Sequence, residues 1–287
     1  MDARFTPFHR AGSGSPLVWL HGFTDTWRTW ELVLGELERH HDVLAPTLAG
    51  HAGGPKIDGA IGHRLLADAI ERAMDQAGFE VAHIVGNSLG GFIALQLASR
   101  GRARTVVALA PAGGWAQGDD SYKDTLAHFS TMQDLLSSAA PHADAIVASA
   151  EGRRRATAYT TVHFEHIPAD LLAHQIRGAA SCEAVFPLID FALREGYRLE
   201  AEKISCPVRI IWGTSDRLLL WPAGRRGALP PRLAAPRRLD RARGRWSLPA
   251  AGRPARDGAA DPRLHVSLRR VTQSWPGASV DAFSGGP

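Results

Sequence analysis

Apolar positions fall into two kinds of segment along this 287-residue chain: short continuous runs, and longer stretches where they recur at helical spacing. The runs at 17–20 (LVWL), 42–46 (DVLAP), 81–85 (VAHIV), 105–110 (TVVALA) and 207–212 (PVRIIW) are short and rich in Val and Ile. Apolar residues at consecutive positions predict strands buried on both faces. Residues 3–10 predict a further short first strand, followed by a turn at Gly12-Ser13-Gly14-Ser15-Pro16. Helical spacing joins Trp27, Trp30, Val33, Leu34 and Leu37, with Thr24 or Asp25 placed to cap. The same spacing predicts a helix over 61–78, through Leu65, Leu66, Ala69, Ile70 and Ala73, and another after Gly91, through Phe92, Ile93, Leu95 and Leu97. Strand and helix alternate, which predicts an α/β fold built on a doubly wound, mostly parallel sheet. From Trp115 to about Lys203 the rhythm lapses into helix-like stretches at 122–136, 143–158, 169–179 and 188–195, read as a helical cap inserted after the TVVALA strand.

The strand at 81–85 runs into Gly86-Asn87-Ser88-Leu89-Gly90-Gly91, and an apolar helix follows at once. A chain that reverses within one residue brings backbones too close for Cβ atoms, which accounts for the flanking glycines. A serine at such a corner is exposed, and the amide of Leu89 lies at a helix N-terminus, where N–H groups stabilise an oxyanion. Gly86-Asn87-Ser88-Leu89-Gly90 resembles the nucleophile elbow of the α/β-hydrolase family.

That resemblance implies further parts. His21-Gly22-Phe23 follows the LVWL strand where the family carries an H-G-φ segment, so the N–H of Phe23 would be the second oxyanion donor, with Leu89 the first. His21 is read as a structural hydrogen-bonding residue, not the base. Leu48 to Pro55 resembles the family's P-G-H-G-x-S loop, with its usual preceding Asp replaced, and makes His51 a loop-fixing residue. Asp216, in Trp212-Gly213-Thr214-Ser215-Asp216, stands where the family has its triad acid, whose task is to hold a histidine and favour the imidazolium. Asp119 and Asp120 are the competing loop acids. The inserted helices would cover Ser88 and shape an acyl pocket.

Composition adds little until its distribution is considered. The N-terminus has no apolar leader and no run approaches the ~18 apolar residues of a membrane span, so a cytoplasmic protein with no membrane partner is expected. Cys182 and Cys206 have neither a disulfide framework nor metal-ligand spacing. Arg153-Arg154-Arg155 is read as a solvated helix face. The formal charge is +4, yet residues 1–224 hold 20 Lys+Arg against 25 Asp+Glu, while residues 225–270 hold 13 Arg against 3 Asp and lack Lys, Glu, Ile, Phe and Tyr. A basic segment unaccompanied by any binding motif argues against nucleic acid as a partner.

The family's histidine follows the acid by some thirty residues in a G-x-G-H motif. This chain has none; after Asp216 the only histidine is His265. A slip of the coding frame near Gly224 would explain both the missing motif and the change in composition; the alternative is a genuine basic tail. Read one base later, Trp246 must become Gly and Ser247 can become His, 31 residues after Asp216. Residues 239–242 can become Trp-Ile-Glu-Leu, and an apolar-periodic helix can follow. The expected organisation is therefore a core of residues 1–114 and 204–224, a cap of 115–203, and an aberrant basic, disordered tail of 225–287 without the last strand and helix.

These observations predict a serine hydrolase lineage acting on an ester, thioester or C–C bond of a small acyl substrate. Ser88 and Asp216 are its catalytic residues and Phe23 and Leu89 its oxyanion amides. No cofactor or metal is expected, oligomeric state is left open, and catalysis is impaired for want of the histidine. The alternative is a non-catalytic ligand-binding protein of the same fold, or a defective product.

Overall fold

The computed structural model of the chain describes residues 5–113, 120–161, 163–213 and 216–219, and the backbone of 239–242. Among the described residues seven strands form one sheet: β1 (Phe8–Ala11), β2 (Ser15–Leu20), β3 (His41–Pro46), β4 (Ala82–Asn87), β5 (Ala103–Leu109), β6 (Val208–Gly213) and β7 (Leu239–Ala242), in the spatial order β1-β3-β2-β4-β5-β6-β7. β1 runs antiparallel to β3 and every other neighbouring pair is parallel. The α/β, doubly wound reading holds.

Side chains alternate across the pleat, and helices cover both faces. Val18, Leu20 and Ile84 pack with Ile70 and Met74 of α2 (Leu65–Gln76) and with Ile93 and Leu97 of α3 (Leu89–Ser99). Leu17, Trp19, Val43 and Val85 face the other way, onto Trp30, Leu34 and Leu37. The latter two belong to α1 (Glu31–Leu37). Trp19 and Trp30 meet edge-on at 4.8 Å, so these tryptophans are core packing. Burial of both faces is why β2 and β4 read as continuous apolar runs.

Several boundaries differ from the sequence pattern. The first helical stretch begins as a 3₁₀ turn, Trp27–Trp30, whose N-cap is Thr26, not Thr24 or Asp25. Thr24 has φ 66°, and the Asp25 carboxylate accepts the Thr26 amide at 2.8 Å, so both are used in the turn before the cap. The second helix starts at Leu65, four residues later than the pattern suggests. The sequence left β6 as an open edge; instead, Leu239–Ala242 lies parallel beside it, pairing Ile210 with Leu239 through to Gly213 with Ala242. Ladder bonds come from the backbone, which any residue but proline supplies, so an uncharacteristic sequence can still occupy the edge.

Among the described residues five α-helices lie between β5 and β6: α4 (Ser121–Ala139), α5 (Ala143–Ala148), α6 (Ala150–Ala156), α7 (Ala169–Ala180) and α8 (Val185–Glu195). The single stretch expected at 143–158 is two helices, because Ser149 is extended and its hydroxyl caps α6 by accepting from the Gly152 amide. α4 and α8 share a core of Leu126, Val185, Ile189 and Ala192. Arg154 and Arg155 pair with Glu151 on an exposed face, whereas Arg153 of the same run is half-buried and donates to Val147 O at 2.8 Å. Among the described residues no helix is long and apolar enough to cross a membrane.

Candidate active site

β4 ends at Asn87 and α3 begins at Leu89, which leaves Ser88 alone to turn the chain. It does so at φ 49°, ψ −114°, a conformation that costs a residue with a Cβ of the order of 1–3 kcal/mol. Three backbone bonds hold it there. Its N–H donates to Leu109 O at 2.9 Å, and its carbonyl accepts from Phe92 N and Ala112 N, both at 3.0 Å. A Cβ on Gly86 would stand 2.2 Å from Gly90 O, and one on Gly90 would stand 2.4 Å from Leu20 O. Both glycines of the motif are thus required by contact with backbone.

The segment after β2 packs directly on this corner. A Cβ on Gly22 would lie 2.9 Å from the Asn87 side-chain oxygen and 3.6 Å from Ser88 Cβ. Phe23 follows it and lines the same cleft as Ser88 and Leu89. His21 is enclosed: Nε2 accepts the Leu48 amide at 2.9 Å, which leaves Nδ1–H to donate to Gly22 O at 2.7 Å. Burial, and then the neighbouring His51, hold its pKa well below the usual value. With both nitrogens engaged and no charge to accept, His21 ties the loop at Leu48 to the oxyanion segment and is not available as a base.

His51 donates from Nδ1 to Ala49 O at 3.1 Å, and burial pulls its pKa down to about 4. As pH falls, the unfolded chain takes up the proton first, near its ordinary value of about 6.5. The stabilisation is therefore complete above about pH 6.5, declines below it, and has lost roughly 3 kcal/mol by about pH 4. Urea midpoints measured from pH 7 to 4 are expected to fall accordingly, and His51→Gln to flatten the decline. A variant with the wild-type slope would show that other groups carry it.

Asp216 follows β6. Its Oδ1 accepts the amides of Leu218 at 2.9 Å and Leu219 at 2.8 Å. Burial raises its pKa, and these two bonds oppose the rise. Trp212 Nε1 donates to Leu219 O at 2.7 Å and Thr125 Oγ1 to Leu218 O at 3.1 Å, so the turn is locked between β6 and α4. Leu219 lines the cleft, whereas Asp216 does not. Asp120 is an exposed carboxylate at the start of α4, paired with Lys123 at 2.9 Å. Asp119 and His265 lie outside the described residues.

The cleft has a volume of about 810 Å³ with its open mouth included. Its floor is Ser88, Leu89, Phe92 and Ile93; its roof is Leu126 and Phe129 of α4 and Leu188, Ile189 and Phe191 of α8. Of the histidines among the described residues, His63 alone lines it. Sequence reasoning passed over His63 and Gln96. Gln96 carried a visible signal, a single long polar residue inside the apolar helix FIALQLAS. Nothing beside His63 marks it out.

A family model described as alpha/beta hydrolase fold matches residues 15–227. The match stops three residues past Gly224, where the Arg-rich composition begins. Epoxide hydrolase EphH of Mycobacterium tuberculosis is 34% identical over 155 residues, which are 54% of this chain and 72% of that protein. The 2-hydroxymuconate semialdehyde hydrolase of a Pseudomonas species is 35% identical over 114 residues, 38% of this chain and 40% of its own length. Among solved structures, epoxide hydrolase CorEH without ligand superposes with a TM-score of 0.58 at 21% identity, covering 72% of this chain and 77% of that one. A bacterial membrane phospholipase A gives 0.55 at 21%, covering 74% and 67%. At such identities these structures speak for the fold.

Proposed function

Because the chain belongs to the alpha/beta hydrolase fold family, we propose that it is a serine hydrolase by lineage, acting on an ester, thioester or activated C–C bond of a small acyl substrate. Ser88 attacks the carbonyl, the amides of Phe23 and Leu89 receive the oxyanion, and Asp216 stands where it would orient the triad histidine that this chain lacks. The observation that carries this reading is the placement of Ser88. It sits at positive φ at the N-terminus of an 11-residue helix and lines an apolar cleft together with Phe23 and Leu89. Such a helix end offers N–H groups and a favourable dipole to developing negative charge. Opening an epoxide through a covalent enzyme ester needs a carboxylate at the elbow. The elbow here carries a hydroxyl, so kinship with proteins named epoxide hydrolases does not bring that nucleophile with it.

Residues 1–114 and 204–224 form the core in this reading and 115–203 the cap. The chain from about residue 225 is out of frame, and the general base was lost with it. Two features support this: the composition change and the end of the family match at residue 227.

A fluorophosphonate probe tests the assignment. The chain as written is expected to label slowly; the frame-repaired chain labels quickly on Ser88, and Ser88→Ala abolishes the adduct. A repaired chain that never labels sinks the serine reading and leaves a ligand-binding protein. The coding DNA around codon 224 tests the frame itself, since an uninterrupted frame in the source genome would overturn that part alone.

A further inference from the structure

The cleft runs along one stripe of α3. Ser88, Leu89, Phe92, Ile93 and Gln96 all line it, at intervals of one or three residues, which place them on a single helix face. Gln96 is eight positions beyond Ser88, so at the α-helical rise this wall is about 12 Å long. Its two ends differ in chemistry. The first holds Ser88 with Phe23 and Leu89.

At the second end the Gln96 carboxamide donates to His63 O at 2.9 Å and to Arg198 O at 3.4 Å, fastening two loop segments onto α3. The His63 ring packs edge-on against Phe191, with centroids 4.9 Å apart, and lines the cleft. Its Nε2 is enclosed without a hydrogen bond, 3.9 Å from the Glu195 carboxylate, although 22% of the side chain is exposed. The edge of the ring carrying Nε2 is therefore closed, and the exposed part of the side chain lies elsewhere on it. Between the two ends the wall is apolar, through Phe92, Ile93 and Leu66.

We infer that the cleft takes an extended acyl chain about 12 Å long, the length of roughly eight to ten carbons, that ends in a hydroxyl group. The carbonyl sits at Ser88 and the hydroxyl donates to Nδ1 of His63, so the substrate class is a medium-chain ω-hydroxyacyl ester. His63 is then a specificity-determining residue. Which end receives the carbonyl rests on the proposed role of Ser88; the length and polarity of the cleft do not.

Calorimetry on the full chain with free acids tests this without requiring turnover. An acid head group occupies the helix N-terminus as a hydrolysis product would. ω-Hydroxyoctanoate is expected to bind about fivefold tighter than octanoate, the effect of one added neutral hydrogen bond. γ-Hydroxybutanoate, too short to reach His63, is expected to bind no better than butanoate. His63→Leu should erase the octanoate difference while still binding octanoate, and His63→Gln should retain it. Equal affinities for the octanoate pair, an advantage that survives His63→Leu, or no binding by any of the four acids would each overturn the inference. Labelling of Ser88 reads the serine assignment separately, so discrimination among the acids by a chain that never labels would leave this inference standing alone.

Discussion

Restoring the reading frame after Gly224 is expected to raise turnover of a p-nitrophenyl ester by about 10⁶-fold, the loss seen when a triad serine or histidine is removed from a comparable hydrolase. The chain as written retains the parts that need no base: the elbow, the Phe23 and Leu89 amides, and the cleft. In such enzymes these leave a residual ~10³–10⁴ over water, so the starting rate is low but measurable. Ser88→Ala in the repaired chain should return the rate to that floor. Asp216→Asn should cost less, about 10⁴ in kcat with little change in KM, because the acid acts through the histidine and not on the ester. Release of p-nitrophenolate, followed with repaired, as-written and doubly altered chains, separates these terms. A repaired chain no faster than the original would show that the missing base is not what limits it.

The legible parts of the molecule are those where one physical requirement acts over a few consecutive residues. β2, β4 and β5 are buried on both faces, so their residues are apolar without alternation and announce themselves as strands. Gly86 and Gly90 are fixed by contacts of 2.2 and 2.4 Å with backbone, and that constraint survives in the sequence as a motif. Gly22 faces a side chain instead, with the Asn87 oxygen 2.9 Å from where its Cβ would stand. The roof of the cleft is not, because Phe129 and Phe191 occupy helical positions that packing alone would also fill. Their neighbours across the cleft are set by how α4 and α8 close over α3. The His63 end was hidden for a related reason: its character comes from Gln96, 33 residues away, and from a nitrogen turned toward Glu195. β7 could not be read from its residues at all, since LDRA pairs through its backbone.

Gly90→Ala is expected to destabilise the fold by about 3 kcal/mol or more, at or beyond the upper end of ordinary overpacking. The added Cβ would stand 2.4 Å from Leu20 O and 2.5 Å from His21 O, and neither oxygen is free to retreat. Leu20 is held in register with Gly86 across β2 and β4. His21 is tethered through both ring nitrogens. Relief must therefore come from α3, whose first turn carries Leu89 and follows Ser88 directly. The helix would have to lift away from the oxyanion segment, taking one amide of the hole from the other. Gly35 supplies the control: a Cβ there meets nothing within 4 Å, and in the interior of α1 an alanine should be neutral or add up to about 1 kcal/mol. Urea unfolding should shift down for Gly90→Ala and not for Gly35→Ala, and in the repaired chain Gly90→Ala should lose labelling at Ser88 even at temperatures where it remains folded. A Gly90→Ala protein within about 1 kcal/mol of wild type, labelling at the parental rate, would mean that the elbow and the Phe23 segment are not in the contact on which the proposed site depends.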